Sequence, residues 1–221
     1  MTDLDLSGLE DLVTGKPTSR STKAPWQPLN LDRLHPGAWL GCDQSLKASG
    51  LVVLLVDDWP EWTIRVTSAT TIGTQAEAGI DGWEDVLRRA RKLEREFRIW
   101  IPGAWRELGF EPRVKRYAAH EAPPIGGGSR FLKPELSLIA SYAFRRSLED
   151  IFAWQLQPMV RPQDHKSLIC GNANAKKPAH HHALKQLFPR IEGSELITNE
   201  ATRDALSVAL TAAYRGPKTH G

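Results

Sequence analysis

The sequence has 221 residues, of which 41% are hydrophobic and 25% charged, the composition of an ordinary globular protein with enough chain for one core. Its net charge of +3 is only mildly basic, so it permits nucleic-acid binding without demonstrating it. No apolar run reaches the ~18 residues of a membrane span, and the N-terminus lacks the basic flank of a signal peptide. We therefore predict a cytoplasmic protein with no membrane partner.

Predicted structure begins after a polar N-terminal segment. Residues 1–35 mix Pro, Ser, Thr and Lys with a few leucines, which indicates a mobile arm. Three strands are predicted next, at residues 40–43, 51–56 and 62–68. Because short turns connect them, they are expected to form an antiparallel meander.

Helices and strands alternate in the second half of the chain. The predicted elements are a helix at 82–100 that Pro102-Gly103 breaks or kinks, a strand at 114–119, a helix at 134–154, a strand at 159–160 and a helix at 199–214. This order predicts an α/β fold in which helices flank a mixed five-stranded sheet. The domain is expected to span residues 36–216, followed by a tail at 217–221.

Three acids stand beside predicted element ends: Asp43 and Glu121 after strands, and Asp204 near the start of the last helix. Carboxylates ~5 Å apart repel by roughly 3 kcal/mol per pair at an effective dielectric near 20, so their convergence requires a cation. Hard oxygen ligands suit Mg²⁺ or Mn²⁺, and two such ions can activate water and stabilise the departing oxygen of a phosphodiester. The three acids therefore predict a two-ion site for phosphodiester hydrolysis.

The last helix offers two candidates for a fourth ligand, Glu200 and Asn199. Glu200 lies four residues before Asp204, so both side chains can leave one face. Glu200 is either a ligand or a helix-start acid stabilised by the helix dipole. Asn199 lies further round the helix and either caps it or contacts substrate.

Cationic residues provide candidate DNA contacts. Lys176 and Lys177 precede Pro178, which can open a helix, so cations and free backbone N–H groups would face a phosphate together; the alternative is a solvated basic loop. Arg130 and Lys133 follow a glycine run that either fits between DNA arms or is inert. The arginines and lysines of the helix at 82–100 are expected to be mainly solvated.

The run His180-His181-His182 suggests a metal site at first sight. Consecutive residues on a helix point about 100° apart, so one ion is not expected to be held by all of them. We therefore predict no metal site at these histidines.

Four segments, taken in order, resemble RuvC-type Holliday junction resolvases of the RNase H-like (retroviral integrase-like) superfamily. They are residues 40–45 with 50–53, residues 120–124, residues 171–177 and residues 200–210. The resemblance spans about residues 38 to 216. It implies an RNase H-like fold and a homodimeric, metal-dependent endonuclease that binds four-way DNA junctions and nicks two strands symmetrically.

By position, the resemblance makes Asp43, Glu121 and Asp204 the metal-binding acids. The family usually carries a fourth acid or a histidine three residues before the last aspartate, where this chain has Ala201. The fourth ligand therefore stays open between Glu200, Asn199 and none. The N-terminal arm and the longer segment around residues 99–112 resemble phage-encoded members of the family.

Other functions fit part of the same pattern. A non-catalytic branched-DNA-binding protein is one alternative, although retention of three acids argues against it. A less specific branch or flap endonuclease is another, and nothing in the sequence separates it from a strict junction enzyme. Residues 41–45 also resemble the phosphate-binding turn of actin-like sugar kinases, which need two such halves where this chain has one.

Overall fold

A computed structural model describes residues 29–58, 61–80, 82–108, 114–123, 134–149 and 154–218. Within them lies one five-stranded sheet. Its strands are β1 (Gly37–Asp43), β2 (Ala48–Asp57), β3 (Thr63–Gly73), β4 (Arg116–His120) and β5 (Gln155–Leu156), and their order is β3-β2-β1-β4-β5. β1, β2 and β3 pair antiparallel, whereas β4 runs parallel to both β1 and β5. This is the expected mixed sheet with an antiparallel meander.

Five α-helices accompany the sheet in the described ranges. They are α1 (Gly82–Glu107), α2 (Pro134–Glu149), α3 (Pro162–Cys170), α4 (Lys177–Lys185) and α5 (Glu200–Arg215). None of the helices described is long and apolar enough to cross a membrane.

The sheet is covered on both faces, which explains the unbroken apolar run of β2. Val52, Leu54 and Val56 face a core that contains the buried side of α5, and Leu51 and Val53 face a second core built with α1 and α2. Because successive strand residues point to opposite faces, a strand buried on both sides has no polar alternation.

Glycines allow α5 to lie unusually close to the sheet. A Cβ atom on Gly50 would lie 2.0 Å from the carbonyl oxygen of Ala201, and one on Gly41 would lie 2.2 Å from that of Ala205. Both oxygens belong to the helix backbone, so no side-chain rotation would relieve the clash. The close approach positions the first turns of α5 over the ends of β1 and β2.

The fifth strand was predicted in the wrong place. Residues 155–156 form β5, whereas Val160 makes only an isolated parallel bridge to Glu121. A two-residue strand carries no alternation that a sequence pattern can detect, and its position is decided by pairing with β4.

Of the break or kink predicted at Pro102-Gly103, the break is wrong. α1 continues through Pro102 to Glu107. Ile101, Ala104 and Trp105 beyond and beside the proline are buried in the core under the sheet. Burial of this apolar turn outweighs the hydrogen bond that proline removes.

The end of the predicted mobile arm is part of the core. Leu29, Leu31 and Leu34 are buried, and residues Leu31–Arg33 form a 3₁₀ helix capped by Asn30. His35 N donates to the carbonyl of Ala213, which ties this segment to α5. The prediction of mobility is therefore wrong for residues 29–35, and residues 1–28 lie outside the described part of the chain.

The sequence interpretation missed α3, although its ends carry helix signals. Pro162 stands in its first turn, and Gly171 ends it with φ of 70°, a left-handed conformation that favours glycine. α4 begins at Lys177, as Pro178 indicated.

Candidate active site

Asp43 and Glu121 lie side by side at the carboxyl ends of neighbouring parallel strands. Cys42 of β1 pairs with His120 of β4, and the Glu121 amide donates to the Cys42 carbonyl at 2.9 Å. Alternation along the two strands turns both carboxyl groups toward the face covered by α5. Both side chains line the same cleft.

Helix α5 brings the third acid to the same place. Asp204, in its second turn, is buried and lines a cleft of about 570 Å³ together with Asp43, Glu121 and Glu200. Acids that are 161 positions apart, residues 43 and 204, thus share one cleft. The structure brings together all four acids singled out from the sequence.

The carboxyl groups at this site are electrostatically strained in the absence of a cation. Burial raises the pKa of Asp43 well above its usual range, and repulsion by Glu121 and Asp204 raises it further. Burial also raises the pKa of Glu121. Hard oxygen donors crowded in this way suit a divalent cation, because its charge offsets both the burial and the mutual repulsion. The residues present therefore fit Mg²⁺ or Mn²⁺.

Lys177 already neutralises part of the cluster. Its Nζ lies 3.0 Å from Oδ2 of Asp204 and also donates to Glu200. Partial burial would lower the pKa of Lys177, but these two carboxylates outweigh it and raise the pKa well above its usual value. The ammonium group predicted to meet DNA phosphate thus faces the carboxylates instead.

Glu200 and Asn199, the two candidates for a fourth ligand, differ in the contacts that they make. Glu200 is exposed and opens into the cleft beside its Lys177 ion pair. Asn199 caps α5, since its Oδ1 accepts from the Thr202 amide at 3.0 Å and from the Thr71 hydroxyl at 3.1 Å. Its oxygen is therefore committed to the helix end.

Buried histidines lie beside the acids, and one of them, His165, was not singled out from the sequence. Nε2 of His165 on α3 lies 3.0 Å from Oε1 of Glu121, and its Nδ1 lies 3.3 Å from Nε2 of His180 on α4. Burial lowers the pKa of both histidines to about 4. The sequence did contain an indication that His165 is buried. It lies four residues before Ile169, on the same face of a short helix that begins at Pro162 and is ended by Gly171.

His181 contacts the acid of α5 directly. Its Nε2 lies 2.9 Å from Oδ1 of Asp204, and Nδ1 of His180 lies 3.9 Å from the same oxygen. Burial would raise the pKa of Asp204, but the hydrogen bond from His181 and the Lys177 ammonium outweigh it and lower the pKa. Nitrogens of both His180 and His181 thus lie within 4 Å of one carboxylate oxygen, although consecutive residues of a helix point apart.

The remaining predicted DNA contacts have different positions. Lys176 is exposed at the N-cap of α4, one residue before Lys177, which lines the cleft. Arg130 and Lys133 lie outside the described residues.

The chain has an RNase H-like fold. More particularly, the sheet and its helices superpose on solved RuvC structures. The Thermus thermophilus RuvC structure has a TM-score of 0.57 at 16% identity over 80% of this chain and 93% of that one. T. thermophilus RuvC in complex with Holliday junction substrate has a TM-score of 0.58 at 17% identity over 81% and 94%. The yeast mitochondrial Holliday junction resolvase Ydc2 has a TM-score of 0.50 at 11% identity over 82% and 81%.

At these identities the superpositions establish the fold. No protein-family model matches the sequence, and no curated protein matches it either.

Proposed function

We propose that the protein is a divalent-metal-dependent endonuclease that resolves four-way DNA junctions by paired phosphodiester hydrolysis. The observation that carries the proposal is the convergence of Asp43, Glu121 and Asp204 in one cleft of a RuvC-like fold. The solved structure of T. thermophilus RuvC with a Holliday junction substrate supports the choice of substrate. An origin in a phage genome stays a prediction from the resemblance alone.

Asp43, Glu121 and Asp204 would hold one or two Mg²⁺ or Mn²⁺ ions, with Glu200 as a further oxygen donor at the open side. When bound, such ions supply Lewis-acid activation of water and charge stabilisation at the phosphodiester. The chain itself places Asp43 and Glu121 at neighbouring strand ends and Asp204 on a packed helix, so that all three carboxylates line the same cleft. Lys177 can leave Glu200 for a phosphate once cations offset the acids.

A path for DNA can be traced from the cleft across neighbouring cations. Lys47 lines the acidic cleft and also a second cleft that contains Arg88 and Lys92. Arg88 is paired with Asp85 and Glu77, whereas Lys47 and Lys92 are exposed. We propose that a duplex arm lies along Lys47 and Lys92, with Lys176 on the other side of the acids.

Paired cleavage requires two sites, and we propose a homodimer. Exposed apolar side chains on the helices that cover one face of the sheet, Trp83 and Leu87 of α1 and Leu138 and Tyr142 of α2, provide a surface for a second copy. Large exposed apolar patches mark association surfaces more often than isolated apolar residues do.

The experiment is cleavage of a labelled four-way junction with Mg²⁺ by the wild-type protein and by Asp43→Asn. The variant keeps the shape of the side chain but loses its charge. Because metal-assisted charge stabilisation amounts to several kcal/mol, we expect a loss of roughly 10²-fold or more in rate. A plasmid carrying a cruciform should be linearised by the wild type, since two paired nicks open both strands.

Asp57→Asn is the matched control, because Asp57 ends β2 at the opposite end of the sheet. It should cut as the wild type does. Undiminished cleavage by Asp43→Asn would remove Asp43 from the mechanism. A junction gel shift without product in any divalent metal would favour the non-catalytic branched-DNA-binding protein, and equal cleavage of flaps would favour the less specific nuclease.

A further inference from the structure

A compact set of metal-ligating atoms is formed by Asp204 with two histidines, His180 and His181. Their ligand atoms all lie within 4.8 Å of one another, and all three residues are buried. Two ligands bound at ~2.1 Å in tetrahedral geometry lie roughly 3.4 Å apart. The observed separations from Oδ1 of Asp204, 2.9 Å to His181 and 3.9 Å to His180, lie on either side of that value.

Besides the short distances between the three residues, Nδ1 of His180 indicates separately that a ligand binds here. It is a buried atom with no hydrogen-bond partner among the described residues, and the His180 residue itself is 0% exposed. A polar nitrogen without a partner is costly in a core, so such atoms usually serve a ligand, a water or an ion.

The hydrogen bonds of His165 decide whether Nδ1 of His180 carries a proton or a lone pair. An ionised Glu121 only accepts, so His165 donates to it from Nε2 and keeps a lone pair on Nδ1. That lone pair accepts from Nε2 of His180. Nδ1 of His180 then carries no proton, and a bare lone pair faces the Asp204 carboxylate. Two electron-rich atoms face each other without a donor between them.

We propose that His180, His181 and Asp204 form a site for a borderline transition-metal ion such as Zn²⁺ or Co²⁺, which takes two imidazole nitrogens and one carboxylate oxygen. Imidazole suits these ions, whereas Mg²⁺ takes oxygen ligands. Three protein ligands leave a position open to water or phosphate. The site shares Asp204 with the proposed nuclease site, so its test measures ion binding instead of cleavage.

The competing explanation is that His181 only orients Asp204 by a hydrogen bond. The variant His181→Gln separates the two roles, because an amide N–H can still donate to Asp204 but is no imidazole. Titrations of Co²⁺, followed by visible absorption, and of Mg²⁺, followed by calorimetry, are compared between the wild type and this variant. His182→Gln is the matched control, since His182 is the exposed neighbour on the same helix.

We expect His181→Gln to weaken Co²⁺ binding by at least about tenfold while Mg²⁺ affinity changes by less than about twofold, because only Co²⁺ uses the nitrogen. His182→Gln should leave both unchanged. An unaltered ratio of Co²⁺ to Mg²⁺ affinity in His181→Gln would overturn the proposal in favour of pure positioning.

The unmutated protein provides a second readout should His181→Gln fail to fold. Co²⁺ bound by imidazoles at low coordination number absorbs visible light far more strongly than Co²⁺ held by six oxygens. The strong spectrum is expected, and the weak one would overturn the proposal. Neither outcome depends on cleavage, so loss of the nuclease function and loss of this site are distinguishable.

Discussion

Among single residues, His120 shows how burial of one side chain makes the stability of the protein depend on pH. It is 1% exposed at the end of β4, where its Nε2 lies 3.1 Å from the Ser141 hydroxyl of α2. Burial disfavours the imidazolium and lowers the pKa of His120 from 6.5 to about 4. The folded protein therefore keeps this side chain neutral at pH values where an unfolded chain would protonate it.

A stability prediction follows for His120. As pH falls from 6.5 toward 4, His120 becomes protonated in the unfolded chain but stays neutral in the folded chain. The free energy of unfolding therefore falls by about 1.4 kcal/mol per pH unit. His120→Gln removes this contribution. Urea unfolding at several pH values should show the wild type losing about 3 kcal/mol more than the variant across that window. Parallel curves for the two proteins would contradict the assignment.

Residue types alone identified the acids, but they did not show which histidines would contact them. Asp43, Glu121 and Asp204 stood out because carboxylates beside strand ends and a helix start have a known chemical use. The run that contains His181 stood out in the sequence, but its contact with Asp204 and that of His165 with Glu121 depend on how α3 and α4 pack against the sheet.

Among the elements, α5 is the one whose placement decides the site. It carries Glu200 and Asp204, and its distance from the sheet is set by Gly41 and Gly50. The strand glycines and the last helix could be read from the sequence, but the placement of that helix over the glycines could not. Its register on β1 and β2 determines whether Asp204 reaches Asp43.

We predict that Gly50→Ala displaces α5. A methyl group 2.0 Å from the Ala201 carbonyl forces the helix outward, at a cost of about 1–3 kcal/mol in unfolding free energy. Misplacement of Asp204 by ~1 Å should lower cleavage by roughly 10²-fold. Thermal unfolding and junction cleavage measure the two effects.

Gly103→Ala is the control for this substitution. Gly103 lies inside α1, and none of the described neighbours comes within 4 Å of the place that a methyl group would take there. The same change should stabilise the helix by about 1 kcal/mol and leave cleavage as it was. Equal behaviour of the two alanine variants would argue against close packing as the cause.

At the scale of the whole molecule, a net charge of +3 tells little about DNA binding, and the distribution of charge matters more. Lys47 is exposed and lines the cleft at the carboxyl end of the parallel strands, and the exposed Lys176 directly precedes Lys177, which also lines it. Lys115, just before β4, is exposed at the opposite end of that strand. The proposed DNA surface is therefore confined to one end of the sheet.

This arrangement predicts the salt dependence of junction affinity. Each of Lys47→Ala and Lys176→Ala should reduce the slope of log affinity against log salt by about 0.9, the value of one phosphate contact. Lys115→Ala makes the same charge change and should leave the slope unaltered. Binding measured by fluorescence anisotropy over a salt series checks all three, and identical slopes throughout would mean that the lysines beside the cleft are merely solvated.

The sequence by itself determined the strand meander, the mixed sheet, the last helix and the identity of the four acids, because these depend on local periodicity and residue chemistry. Only the tertiary structure decided the position of β5, the continuity of α1 through Pro102 and the pairing of Lys177 with Asp204. The tertiary structure also placed His165 beside Glu121, and His180 and His181 beside Asp204. These features arise from contacts between segments distant in the chain, and no local pattern records which segments will meet.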